Sequence, residues 1–139
     1  MSYCDRPAVK VPKAEEYDRE IVESSEKKEK NMILVGNPAP VFLAPAYHKG
    51  DMTEINLEDY KGKWVMLCFY PGDFTFVCGT EVAAVASKNK EFEELGVQVI
   101  SVSVDSQFVH KIWNDTELSK MAGCDVPFPM VSDSSGAIG

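Results

Sequence analysis

Seven apolar residues in a row, WVMLCFY at positions 64–70, run without alternation into the break Pro71-Gly72-Asp73. A short run of this kind fits a strand covered on both faces, and such strands belong mainly to parallel sheets. The run is therefore read as a central parallel strand, ended by the Pro-Gly-Asp turn. Beyond it, Val82, Val85, Phe92 and Leu95 share one helical face, while Lys88, Lys90, Glu91 and Glu94 lie mostly away from it. A helix is expected from Asp73 or Phe74 to Leu95, stopped by Gly96. VQVISVSVD (97–105) reads as a second strand. The segment Ser106 to Met121, with Val109, Ile112, Trp113 and Leu118, reads as a second helix, and FPMVSD (128–133) as a short third strand before the SSG turn. Strand, helix, strand, helix, strand predicts an α/β fold with a central, mostly parallel sheet flanked by helices.

Upstream, VGNPAPVFLAPAY carries prolines at 38, 40 and 45, which demote it to a loop leading into an edge strand, and HKGDMTEI predicts a hairpin turn about Lys49-Gly50-Asp51. Residues 13–30 hold twelve charges in eighteen positions, with only Tyr17, Ile21 and Val22 as sizeable apolar side chains. Such a segment is either a solvated helix or disordered. Residues 1–32 are accordingly read as a charged N-terminal extension and 33–139 as the domain.

A net charge of −8 argues against nucleic acid or an anionic membrane surface as partner, because phosphates would repel the chain. No apolar run approaches the roughly 18 residues of a membrane span, and the N-terminus has no apolar signal core, so the expected compartment is the cytoplasm. The four cysteines, at 4, 68, 78 and 124, match neither a CxxC pair nor a compact disulfide framework, and are expected to be reduced thiols. His48 and His110 lie far apart and away from any cysteine pair, which argues against a structural zinc site.

Cys78 stands out by position. It falls where the apolar strand has ended and the helical pattern begins, and in open α/β sheets active groups gather at such junctions. A free cysteine has a pKa near 8.5, so only a few per cent is thiolate at neutral pH. The N-terminal end of a helix favours the anion by roughly 0.3–1 kcal/mol, about 2 at most. Lowering the pKa to about 6 requires about 3.4 kcal/mol, so a hydroxyl donor and a cation are needed as well.

The residues around Cys78 carry a family resemblance. FYPGDFTFVC fits the P-x-x-x-T-x-x-C signature of the peroxiredoxins through Pro71, Thr75 and Cys78, and with the following TE it is similar to the alkyl hydroperoxide reductase C / thiol-specific antioxidant branch. The likeness extends from VGNPAP through LEDYKGKWV, FEELGVQVISVSVDS and HKIW to SDSSGAIG. It implies a thioredoxin-like fold and thiol-dependent reduction of hydrogen peroxide and organic hydroperoxides, without metal or organic cofactor. Cys78 would attack the peroxide and become a sulfenic acid. Thr75 would set its hydroxyl against the thiolate and the peroxide, Pro71 would shield the pocket from water, and Glu81 would act by holding an arginine. Backbone N–H groups around Val77 and Cys78 would donate to the peroxide oxygens. The implied partners are a thioredoxin-like or related protein reductant and further copies of the chain, as a homodimer or ring of dimers.

The sequence departs from that pattern in three ways. The family arginine would fall just after SDSSGAIG, and the only arginines are Arg6 and Arg19. The closing hairpin, final helix and C-terminal Val-Cys-Pro are absent, so the domain is read as C-terminally incomplete, with its third strand and helix faces incompletely covered. Gly79 stands where this branch has proline. A resolving cysteine would have to be Cys4, Cys68 or Cys124; Cys68 reads as a core residue and Cys124 as an exposed loop residue. His110 and Trp113 read as helix-packing or interface residues. The alternative function is a catalytically impaired fragment with a structural or chaperone-like role.

Overall fold

The Lys49-Gly50 pair has the left-handed backbone that a two-residue hairpin demands, with φ values of 50° and 97°. It joins β1 (Leu43–His48) to β2 (Asp51–Asn56) in full antiparallel register, from Leu43 opposite Asn56 to His48 opposite Asp51. The computed structural model describes residues 35–139, and within it Val41–Gly139 forms one compact unit. The charged extension 1–32, with Cys4, Arg6 and Arg19, lies outside the described residues.

A single 3-10 turn, Leu57–Tyr60, leads into β3 (Trp64–Phe69). β3 pairs in parallel with β4 (Val97–Ser103), and β4 pairs in parallel with β5 (Met130–Ser132). β5 in turn meets β1 antiparallel, giving the order β2-β1-β5-β4-β3. This mixed sheet with helices packed on it is a thioredoxin-like fold.

Two strand placements differ from the expectation. The WVMLCFY strand is not central: β3 has β4 as its only neighbour among the described residues, and Trp64 is 78% exposed. An apolar run without alternation reports side chains that repel water, not how many strands flank them. It is β3 that lies incompletely covered, whereas the third parallel strand, β5, is buried throughout. Conversely β1, expected at an edge because of Pro45, is interior. β5 is only three residues long and meets β1 at Ala46 and Tyr47, so Pro45 lies outside that ladder.

The expected long helix is two. α1 (Phe76–Ser87) buries Cys78, Val82, Ala83 and Ala86 along one face, and α2 (Asn89–Glu94) follows after Lys88, whose φ of −100° and ψ of 5° break the helical path. The break turns Leu95 outward, 74% exposed, against the expectation that it shares a face with Val82. The second helix is α3 (Gln107–Trp113), a π-helical turn (Asn114–Leu118) and α4 (Ser119–Ala122), ended by Gly123 at φ 73°. Ser106 caps its start by accepting from the Val109 N–H. Trp113 and Leu118 are buried as expected, but Ile112 is exposed.

β4 divides the core by its alternation. Val99 joins Cys78, Val82, Trp113, Leu118 and Phe128 beneath the helices, while Ile100 and Val102 join Ala44, Ala46, Ile55 and Val131 in a second cluster, against which Phe42, Tyr60 and Ile138 pack.

Candidate active site

The chain leaves β3 at Phe69 and must turn before α1. Tyr70, the first residue past the strand, sends its N–H to the Val102 carbonyl at 3.1 Å, so the turn begins tied to β4. Asp73 is buried, and Phe74 takes a φ of 56°, a left-handed conformation that non-glycine residues seldom adopt. Thr75 then occupies the N-cap position with extended backbone, and α1 starts at Phe76, two or three residues later than expected.

Cys78 is thus the third residue of α1. It is 7% exposed, its flank packed into the core beneath the helices. The first intrahelical bond runs from the Gly79 N–H to the Thr75 carbonyl at 3.0 Å. The N–H groups of Phe76, Val77 and Cys78 precede it and have no acceptor within the helix. Thr75 does not cap the helix with its side chain: its hydroxyl donates to the Gly72 carbonyl at 2.8 Å, which leaves its oxygen lone pairs to accept. Thr75 and Pro71 are both exposed.

Glu81 is exposed one turn further along α1 and forms no ion pair among the described residues. It lines a cleft of about 230 Å³ with Cys68, Tyr70, Val82, Ser101 and Phe128. Cys78 is not among the residues lining that cleft. Cys68, expected in the core, is half-buried on the open strand β3, and burial pushes its thiol pKa up. Cys124 is exposed as expected. Cys68, Cys78 and Cys124 are all free thiols.

The sequence reading missed a buried polar cluster under the turn. The Asp73 carboxylate accepts from the Tyr70 hydroxyl at 2.7 Å and lies 2.7 Å from His110 Nδ1, and all three residues are buried. His110 Nε2 is 3.3 Å from the Val131 carbonyl, so both ring nitrogens face acceptors. Asp73 is held on its backbone side too, its N–H donating to Asp105 Oδ2 at 2.7 Å. Burial, then the Asp73 charge, raises the Tyr70 pKa far above the ordinary tyrosine value. The available signal was His110 lying three positions from Trp113, on the inward face of α3. Trp113 forms the floor, with its ring centroid 5.9 Å from Tyr70 and 6.2 Å from Phe74.

With this geometry in view, comparison with known proteins is specific. The AhpC/TSA family model matches residues 35–139. The chain is 59% identical over 108 residues to the selenocysteine-containing peroxiredoxin PrxU of Peptoclostridium acidaminophilum, covering 78% of this chain and 53% of that protein. It is 46% identical over 99 residues to peroxiredoxin-2 of Pongo abelii, covering 71% and 56% respectively. The chain spans about half the length of these curated relatives. Among solved structures, Enterococcus faecalis AhpC superposes with a TM-score of 0.70 at 38% identity, over 77% of this chain and 62% of that one.

Proposed function

The chain belongs to the AhpC/TSA family of peroxiredoxins, and on that premise we propose that it is a thiol-dependent peroxidase with Cys78 as the peroxidatic residue. The observation that carries this reading is Cys78 in the first turn of α1, at the carboxyl end of a parallel strand, inside the stretch matched by the family. The Cys78 thiolate attacks the terminal oxygen of a hydroperoxide. A sulfur–oxygen bond forms as the O–O bond breaks, the sulfur is oxidised to sulfenic acid, and the other oxygen leaves as water or an alcohol after taking a proton.

Each neighbouring group has a part in that step. The unbonded N–H groups of Val77 and Cys78 donate to the peroxide oxygens where negative charge develops, as an oxyanion hole does. The Thr75 hydroxyl, anchored on Gly72, positions the peroxide beside the sulfur. Pro71 walls the mouth of the site, and Glu81 serves to hold a cation. The substrates are hydrogen peroxide and organic hydroperoxides, the reductant is a thioredoxin-like protein thiol, and the free thiols fit a reducing, cytoplasmic setting. Exposed Phe74, Phe76, Val77, Phe108 and Ile112 support assembly with further copies, as a homodimer or ring of dimers.

The test is one equivalent of hydrogen peroxide followed by a sulfenic-acid trap and mass mapping. Adduct should appear at Cys78 well before Cys68 or Cys124, and Cys78→Ser should consume no peroxide. Equal, slow oxidation of all the thiols refutes the assignment.

A further inference from the structure

The turn that delivers Cys78 contains a conformation the sequence does not favour. Phe74 has a side chain and no glycine-like freedom, yet its φ is 56°. Thr75 and α1 follow it directly, so whatever holds Phe74 left-handed aims the first turn of the helix and the sulfur in it.

Asp73, immediately before, is held from three sides. Tyr70 and His110 each engage one carboxylate oxygen at 2.7 Å, and Asp105 receives its N–H at 2.7 Å. These contacts arrive from the end of β3, from α3 and from the loop after β4, so three separate elements fix one residue. A carboxylate gripped at both oxygens and locked at its N–H has little freedom to rotate, and the next peptide must leave in the direction that the grip sets. Trp113 backs the same turn from below, close to Tyr70 and Phe74, and a Cβ on Gly79 would lie 3.6 Å from its ring.

We propose that Asp73 is a positioning residue for the Cys78 site, with Tyr70, His110 and Asp105 clamping it so that Phe74 stays left-handed and the first turn of α1 keeps the thiol in place. The proposal rests on the peroxidase reading only for its consequence; the clamp itself is a matter of geometry. Within that reading, Asp73 touches neither sulfur nor peroxide and acts through Phe74 and Thr75.

Competitive alkylation with iodoacetamide on the intact chain tests this without any need for activity. Exposed Cys124 is the reference, half-buried Cys68 reports on the fold, and Cys78 reports on the turn. Asp73→Asn should raise the Cys78 rate relative to Cys124 at least five-fold with Cys68 unchanged, while peroxide consumption falls at least ten-fold. With Phe74→Gly in the background the left-handed turn needs no clamp, so adding Asp73→Asn should change the Cys78 ratio less than two-fold. If Asp73→Asn does not fold, Tyr70→Phe, which deletes one hydroxyl, should move the Cys78 ratio in the same direction. A Cys78 ratio within two-fold of the parent, a parallel rise at Cys68, unfolding of both variants, or an undiminished Asp73→Asn effect in the glycine background each overturns the proposal. A parent chain that consumes no peroxide refutes the peroxidase reading instead, and the alkylation ratios still decide the clamp.

Discussion

Gly79 follows Cys78 directly and is the fourth residue of α1, buried, with an ordinary helical backbone. A glycine in a helix costs roughly 0.5–1 kcal/mol relative to alanine, because its backbone loses more freedom on folding. The surroundings decide whether that gain can be realised. A Cβ at this position would sit 3.4 Å from Met121 Cε, 3.5 Å from Met121 Sδ and 3.6 Å from Trp113 Cζ2. These are ordinary van der Waals separations, and the nearest atoms are the far end of a flexible side chain. The added methyl is also withdrawn from water, worth up to about 0.8 kcal/mol. Discounting both terms for proximity to the helix end, Gly79→Ala should stabilise the chain by about 1 kcal/mol. For a domain of this size that corresponds to about 4–8 °C in Tm. Urea denaturation followed by circular dichroism should show a higher midpoint with an unchanged slope. A lower midpoint would mean that α4 and Trp113 press against α1 too tightly for a methyl group, and would refute the packing described for this turn.

Leu118 is fully buried beneath the helices, so Leu118→Ala should cost about 2–5 kcal/mol, read from the same denaturation curves. Lys49 occupies a left-handed turn position, and Lys49→Asn should relieve part of that strain and stabilise the hairpin by about 0.5–1 kcal/mol; no change in midpoint counts against the turn geometry. Burial raises the Cys68 pKa, so its alkylation should lag behind that of exposed Cys124 at pH 8 and close the gap as pH rises, whereas pH-independent relative rates would contradict the shift. The Tyr70 pKa is raised above its unfolded value, so above about pH 10 the unfolded chain binds fewer protons than the folded one and stability falls with rising pH. Below that pH the contribution is fully present. Tyr70→Phe should flatten the alkaline loss, and an unchanged slope would place its cause elsewhere.

Local chemistry made much of the fold readable. The Lys49-Gly50 hairpin, the strand at WVMLCFY, the helix after Pro71-Gly72-Asp73 and the cysteine in its first turn all follow from neighbours within a few residues. Where the reading missed, the deciding contact was distant in sequence. Pro45 pointed to an edge, but β5 arrives from 85 residues downstream to make β1 interior. The broken helix at Lys88 was hidden for a local reason instead, because apolar spacing alone does not register a change of helix axis.

At the site, the sequence by itself determined which residues could carry the chemistry: a thiol at a helix start, a threonine three positions earlier, and a turn that places both outside the carboxyl end of a strand. Those are short-range facts, fixed by backbone propensity and spacing. Only the tertiary structure decided how the turn is held. Tyr70, Asp73 and His110 are brought together by the packing of α3 on the sheet, over 37 residues of separation between Asp73 and His110. Burial there removes water as a competing partner, so each polar atom must find its match within the fold. No pattern along the chain encodes that match, because it depends on where two separately formed elements come to rest.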